Sequence, residues 1–321
     1  LDDRISRILT AYDNDGGRPT KLAVGENAIY EYRRDGAAHL LRVTPAHRRS
    51  REQVLAEVRF IRYLNENGGP AVTLDFPRDG GLVITEGRGD DAVNVYSYRK
   101  APGGFPGDEA WGRDLFLKMG REVGKLHSLS SRYVPEGEPR MQWFEDEDLA
   151  RVCGCPSHEG KIAQRCRDLI ERLKAVEANA GNYGLIHGDI HAGNMAIEEG
   201  RLVLFDFDDC QYDFFLKDVA NALFFAHWYP DMTGGATRQH HEDTGFAEAF
   251  LDAFLEGYRE SYDVDAAVYE HLQEMLMLQR CLLWGILHEE KDDLGSWEGV
   301  HARWTAEILD EVPFVDLDFR R

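Results

Sequence analysis

A chain of 321 residues is long enough for two parts, each with its own core. Its 43% hydrophobic content and lack of low-complexity tracts mark it as globular. The net charge of -21 argues against nucleic-acid binding, because phosphate backbones select basic faces; it suits a cationic small-molecule partner, or serves solubility alone. No apolar run approaches the ~20 residues that cross a bilayer. No signal-peptide pattern opens the chain, and five cysteines, an odd number, fit a reducing compartment. The expectation is a cytoplasmic protein without membrane contacts.

Lys21 to Val24 reads as a strand, Gly25-Glu26-Asn27 as a tight loop and Ala28 to Tyr32 as the next strand. Arg34-Asp35-Gly36 is a hairpin turn, since Asp-Gly accepts positive φ angles, and His39 to Val43 returns as the third strand. The glycine-bearing loop presents backbone N–H groups that can lie over phosphates, or it is only a turn. Ser50 and Gln53 make a capping box for a helix that stops at Gly68. Val54, Ile61 and Leu64 form its apolar stripe, and Glu57 falls on that stripe. A carboxylate on a packed face is costly unless a cation meets it; at the stripe's edge it would reach solvent instead.

Asp79-Gly80-Gly81 reads as a further hairpin turn into a strand from Leu82 to Thr85. Val93 to Tyr98 alternates apolar and polar residues as a last strand of the sheet. The Pro/Gly stretch from Ala101 to Gly107 is the best boundary, dividing the chain into residues 1–100 and 101–321. Beyond it a helix is expected near Asp108 to Ser128, with Leu115, Met119, Val123 and Leu126 on one face and His127, packed or capping, at its end. Another is expected from about His158 to Asn179. Cys153, Cys155, His158 and Cys166 have a spacing that matches no common zinc pattern, and the cysteines read as free thiols.

The chain's most informative stretch runs from Leu185 to Asp209, LIHGDIHAGNMAIEEGRLVLFDFDD. Asp189 precedes Asn194 by five residues, on a loop that also carries His187 and His191. Met195 to Ile197, a turn at Glu198-Glu199-Gly200, and Leu202 to Phe205 form a hairpin, which sets Asn194 and Asp206 side by side. An amide oxygen beside a carboxylate offers hard ligands suited to Mg2+ bridging phosphates.

H-G-D-x-H-x-x-N followed by D-F-D resembles the aminoglycoside phosphotransferase and choline kinase superfamily, relatives of the protein kinases. The resemblance covers roughly Leu22 to Ala226. It implies an α+β, two-lobed, protein-kinase-like fold: a small antiparallel-sheet lobe with one helix (1–100) that binds nucleotide, and a larger helical lobe (101–321) for catalysis and acceptor binding. It implies transfer of the γ-phosphate of ATP to a hydroxyl of a small molecule, with Asp189 as the base and Asn194 and Asp206 as Mg2+ ligands. Glu57 would hold the strand-three cation that touches the ATP phosphates. That position is Arg42 here, where relatives carry lysine, and the planar guanidinium fork is larger and differently placed than an ammonium. Tyr96 and Tyr98 would border adenine at the hinge, or simply pack.

The same resemblance makes Asp218 a residue that binds the catalytic loop's backbone, against an ordinary helix N-cap. Asp208 stands where protein kinases have the glycine of D-F-G; it is a possible second metal contact, or points back to an exposed strand face. His191 would support the loop. Phe224, Phe225, Trp228 and Tyr229 border an acceptor site or belong to the core. The C-terminal third, including Phe250 to Tyr258 and His271 to His288, reads as amphipathic helices. Two rivals stay open. A protein Ser/Thr kinase is disfavoured because no long activation segment separates Asp209 from the Asp218 helix. A noncatalytic scaffold is kept open by Arg42.

Overall fold

The computed structural model describes residues 2–107, 111–155, 160–198, 200–232, 244–263, 269–289 and 295–317. The chain forms two compact units. The first comprises Leu1–Phe105, Tyr133–Arg140 and Asn194–Asp208; the second comprises Pro106–Arg132, Met141–Gly193 and Asp209–Arg321.

The first unit is an antiparallel sheet with two helices. Its strands are β1 (Thr20–Val24), β2 (Ala28–Arg34), β3 (Ala37–Pro45), β4 (Leu74–Asp75), β5 (Ile84–Glu86) and β6 (Val93–Arg99), in the order β1-β2-β3-β6-β4, with β5 also pairing β6. The β2–β3 turn has the expected chemistry, with Asp35 at φ 51° and Gly36 at φ 72°. Helix α1 (Asp2–Leu9) is an addition to the expected elements. Its Ile5, Ile8 and Leu9, spaced for one helical face, bury against Tyr30, Tyr32, Leu41, Val43 and Val95 of the sheet. Helix α2 (Arg51–Glu66) carries the full capping box: Ser50 accepts from the Gln53 backbone N–H, and Gln53 accepts from that of Ser50.

Two strand expectations need correction. The turn at Asp79-Gly80-Gly81 does not close a hairpin, because β4 and β5 both pair with β6 and not with each other. Nor is β6 a half-exposed last strand. It lies between β3 and the β4/β5 edge, and its polar residues Asn94 and Ser97 are as buried as Val95. Hydrogen bonds make that burial tolerable: Asn94 donates to the Arg49 carbonyl, and Ser97 Oγ donates to the Leu40 carbonyl at 3.0 Å.

A hairpin from far along the chain also belongs to this unit. Strands β8 (Met195–Glu198) and β9 (Arg201–Leu204) pair from Met195↔Leu204 to Glu198↔Arg201. The Leu204 carbonyl accepts from Val72 N–H, and Gly104 and Ile197 exchange backbone bonds.

The second unit is mostly helical. It holds α3 (Arg113–Ser130), α4 (Glu147–Gly154), α5 (Gly160–Lys174), α6 (Phe215–Met232), α7 (Thr244–Tyr258), α8 (Leu272–Glu289) and α9 (Glu298–Leu309). Strand β7 (Tyr183–Ile186) pairs antiparallel with β10 (Gln211–Phe214). Helices α3 and α7 pack closely: a side chain at Gly120 would stand 1.8 Å from the Phe254 carbonyl oxygen. Helix α3 continues past His127, and α5 stops at Lys174, short of the expected Asn179.

His158 lies outside the described residues, as do the side chains of Trp228 and Tyr229. All five cysteines are thiols, and Cys153 and Cys166 approach to 3.5 Å between sulfurs. Among the described residues no group of three or more His, Cys, Asp or Glu side chains could hold a metal, and no helix is long and apolar enough to cross a membrane.

Candidate active site

The H-G-D-x-H loop leaves β7 at Ile186 and is held by its backbone. The buried Asp218 carboxylate, in the first turn of α6, accepts from the N–H groups of His187 and Gly188, each at 2.9 Å. Its Oδ2 also meets His127 Nε2 at 3.0 Å, while His127 Nδ1 bonds the Tyr258 hydroxyl at 2.7 Å. Burial works to raise the Asp218 carboxyl, but the hydrogen bond and charge of His127 and the His187 N–H hold it below the ordinary carboxylate range. Asp218 is thus the loop's anchor, and His127 is a packed residue inside α3 that supports it.

Gly188 is required here. Its φ is +88°, and a Cβ would stand 2.2 Å from the Asp209 carbonyl oxygen. Asn221, one helical turn beyond Asp218, donates to the Gly188 carbonyl. The next residue is Asp189, part-exposed at 29% of its side chain. Its backbone N–H donates to His187 Nδ1 at 3.3 Å, and its Oδ2 lies 3.2 Å from His191 Nε2.

The tautomer of His191 follows from its partners. The Gly193 N–H donates to His191 Nδ1 at 2.9 Å, so Nδ1 carries a lone pair and the ring proton sits on Nε2, facing Asp189. His191 therefore fixes the loop's exit through one nitrogen and orients a carboxylate oxygen through the other. Its ring also packs on Phe225, at 5.2 Å between centroids. Lys217, buried before Asp218, bonds Gln279 Oε1; burial pushes its ammonium down to about 8 against the opposing charges of Asp213 and Asp218.

The second half of the motif lies in the first unit. The β8–β9 ladder continues one step beyond its strands, with Phe205 N–H donating to the Asn194 carbonyl at 3.0 Å. That register brings Asn194 level with Phe205, next to Asp206. The side-chain oxygens of Asn194 and Asp206 are hard donors, the chemistry that fits a divalent cation completed by phosphate and water. Asp206 adopts φ 63°, an uncommon conformation for a residue with a side chain. The chain turns there so that Asp206 stays half exposed at 49%, while Phe207 is fully buried with its ring edge-on to Phe60 of α2.

Arg42 of β3 is buried at the centre of a charge cluster. Its Nη1 lies 3.2 Å from Glu57 Oε1, 2.8 Å from Asp206 Oδ1 and 3.3 Å from the Tyr96 hydroxyl. Its Nη2 lies 2.6 Å from Asp208 Oδ1. Tyr96 Oη donates to Glu57 Oε1 at 2.7 Å. Glu57 is 1% exposed, not at a wet edge of α2; burial pushes its carboxyl above its ordinary value, with Arg42 acting against that. Arg42 itself is held charged: burial opposes the charge, but Tyr96, Glu57, Asp206 and Asp208 outweigh it.

Asp208 does not return to an exposed strand face. It is buried, within reach of Arg42, Arg48 and Arg49, and these three hold its carboxyl below the ordinary value despite burial. Arg48 also contacts Glu26 in the loop between β1 and β2. Arg140 donates to the Asp208 carbonyl at 2.5 Å and to the Gln53 carbonyl at 3.3 Å.

Arg42, Glu57, Tyr96 and Asp206 are therefore brought together, with Tyr98 buried beside Tyr96 at 5.8 Å between rings. The Tyr96 hydroxyl bonds within the ion cluster, to Arg42 and Glu57. Sequence reasoning did not find Arg48, Arg49, Arg140 or Asn221. The Arg48-Arg49 pair directly precedes the N-cap Ser50 and so was discoverable; Arg140 and Asn221 carry no local signal.

Comparison with known proteins identifies the family. The model of the phosphotransferase enzyme family matches residues 26–268, spanning both halves of the motif. Amicoumacin kinase of Bacillus subtilis (strain 168) is 31% identical over 306 residues, 93% of this chain and 89% of that protein. A solved structure of amicoumacin kinase hAmiN, in complex with AMP-PNP, Ca2+ and Ami, superposes with a TM-score of 0.89 at 30% identity, covering 98% of this chain and 95% of that one. A microcompartment-associated aminopropanol kinase superposes at 0.73 with 21% identity over 95% and 94% of the two chains, a likeness of fold. The α+β architecture is kinase-like. By its family match and its full-length relatives, this chain belongs to the phosphotransferase enzyme family.

Proposed function

We propose that this enzyme transfers the γ-phosphate of ATP to a hydroxyl of a small molecule of the amicoumacin type. The observation that carries the reading is the anchored loop, in which Asp218 fixes the backbone and His191 Nε2–H orients the Asp189 carboxylate. Asp189 takes the proton of the attacking hydroxyl as the new P–O bond forms. Asn194 and Asp206 would hold Mg2+, which when bound neutralises charge on the β- and γ-phosphates. Arg42, fixed by Glu57, presents a positive charge to the same phosphates. Tyr98, with Tyr96 behind it, borders the nucleotide base. In this reading residues 1–100 bind the nucleotide, and residues 101–321 supply catalysis and the acceptor site.

The acceptor assignment draws on the relatives at 31% and 30% identity over nearly the whole chain. The net charge of -21 supports a cationic acceptor and a protein without nucleic-acid partners. The thiol cysteines support a cytoplasmic setting. The test is incubation with ATP, Mg2+ and amicoumacin, with mass spectrometry for a product one phosphoryl group heavier and a coupled assay for ADP. ADP release that depends on the acceptor supports the assignment. Nucleotide binding without phosphorylation of amicoumacin, but with turnover of amino-alcohols, would move the acceptor class.

A further inference from the structure

The chain departs from the protein-kinase template at two positions at once. Arg42 stands in the place of lysine, and Asp208 in the place of the D-F-G glycine. In the structure these two residues touch, Arg42 Nη2 lying 2.6 Å from Asp208 Oδ1. An ammonium is a point charge that one carboxylate can satisfy. A guanidinium is a planar fork, and burying it leaves a second set of N–H groups needing an acceptor. Arg42 is 2% exposed, so water does not supply it. Glu57 reaches only Nη1. Asp208 faces the other prong as an ion pair, its charge 2.6 Å from Nη2.

We propose that Arg42 and Asp208 act as one matched pair, in which Asp208 is a positioning residue that draws the guanidinium away from Asp206 and keeps that carboxylate available to a divalent cation. This deepens the nucleotide-and-metal reading above and rests on it. The reason lies in the competition at Nη1, which is 3.2 Å from Glu57 and 2.8 Å from Asp206. Without Asp208, the buried charge of Arg42 keeps only Glu57 and Asp206 as carboxylate partners, and a cation seeking the Asp206 oxygen must displace it. Asp208 does not move to make this possible: Arg48 and Arg49 face its carboxylate, and Arg140 holds its backbone carbonyl. Two outer arginines thus hold the carboxylate that faces Arg42, and a third holds its backbone.

The experiment is a double-mutant cycle read by calorimetry of AMP-PNP binding, over a range of Mg2+ concentrations, on the full chain. Asp208→Asn keeps the shape and removes the charge. It is expected to raise the Mg2+ concentration needed for nucleotide binding by about tenfold, with nucleotide affinity at saturating Mg2+ largely recovered. A purely structural role would lower the melting temperature without moving the Mg2+ requirement. Arg42→Lys alone is expected to weaken nucleotide binding, because the ammonium cannot meet Glu57 and Asp208 together. The template pair, Arg42→Lys with Asp208→Gly, is expected to lose about fivefold less than the product of the single losses. Additive losses, or an unchanged Mg2+ requirement in Asp208→Asn, would overturn the matched pair. If Asp208→Gly does not fold, the same cycle is run with Asp208→Asn. Failure of the unsubstituted protein to bind Mg2+ and nucleotide would sink the broader reading, and is distinguished from these outcomes by that measurement alone.

Discussion

The two halves of the motif are held by different physics. The Asp189 loop is fixed by hydrogen bonds to backbone groups: Asp218 to two N–H groups, Asn221 to a carbonyl, and His191 to the Gly193 N–H. The Asp206–Asp208 segment is fixed by charge, with Arg42 shared among Glu57, Asp206 and Asp208, and Asp208 shared among three arginines. Backbone hydrogen bonds are short-ranged and directional, and they set one geometry whatever is bound. A shared cation can redistribute among its carboxylates when another cation arrives. The contrast suits the proposed roles, orientation of a base in the first half and exchange of ligands in the second.

The comparison is broken most directly at the proposed base. Asp189→Asn preserves the shape of the loop and removes the proposed base, so turnover is expected to fall by about 10²–10⁴-fold with Mg2+-nucleotide binding nearly unchanged. Retained turnover would remove Asp189 as the base. Glu57→Ala attacks the charge-held half. Removing one member of a buried ion pair costs about 3–5 kcal/mol, and the low end is expected because Asp206 and Asp208 still face Arg42. Chemical denaturation would report the loss, and calorimetry the weakened nucleotide affinity. Equal affinity in the variant would mean that Arg42 does not need its partner.

Asp218→Asn sharpens the contrast through pH. The carboxyl of Asp218 is held below its ordinary value in the folded protein, so the unfolded chain takes up the proton first as acidity rises. Its stabilisation is therefore complete above the ordinary carboxylate range, about pH 4, and is lost as pH falls through the lowered folded value. The melting-temperature gap between the protein and Asp218→Asn should be wide at neutral pH, corresponding to about 1–3 kcal/mol, and should narrow below pH 4. A gap that does not change with pH would mean that the charge of Asp218 is not what anchors the loop.

The smallest effect separates the two duties of His191. Asn at this position offers an oxygen where Nδ1 stood, keeping the Gly193 bond; Gln offers an N–H where Nε2 stood, keeping the bond to Asp189. His191→Gln should retain about tenfold more kcat than His191→Asn, with similar KM for ATP in both. The reverse order would make His191 a loop support alone.

Much of this was legible in local sequence. The D-x4-N spacing, the hairpin between Met195 and Leu204, the Ser50–Gln53 box and the Asp-Gly turn are each set by residues within a few positions of one another. So was the anomaly of Glu57, since its place on an apolar stripe implied a buried cation partner. The edge geometry of β4 and β5 was not legible, because strand pairing is chosen by whichever neighbour completes the sheet and not by the nearest turn.

The sequence by itself therefore determined the phosphotransferase motif, its candidate base and its candidate metal donors, because those depend on residue type and short spacing. Tertiary structure decided which charges meet. Arg42 and Asp208 are separated by 166 positions, and only folding the β8–β9 hairpin into the first unit brings them to 2.6 Å. It also decided the tautomer of His191, because a ring proton is placed by the donors and acceptors around it, and these exist only once the loop has closed.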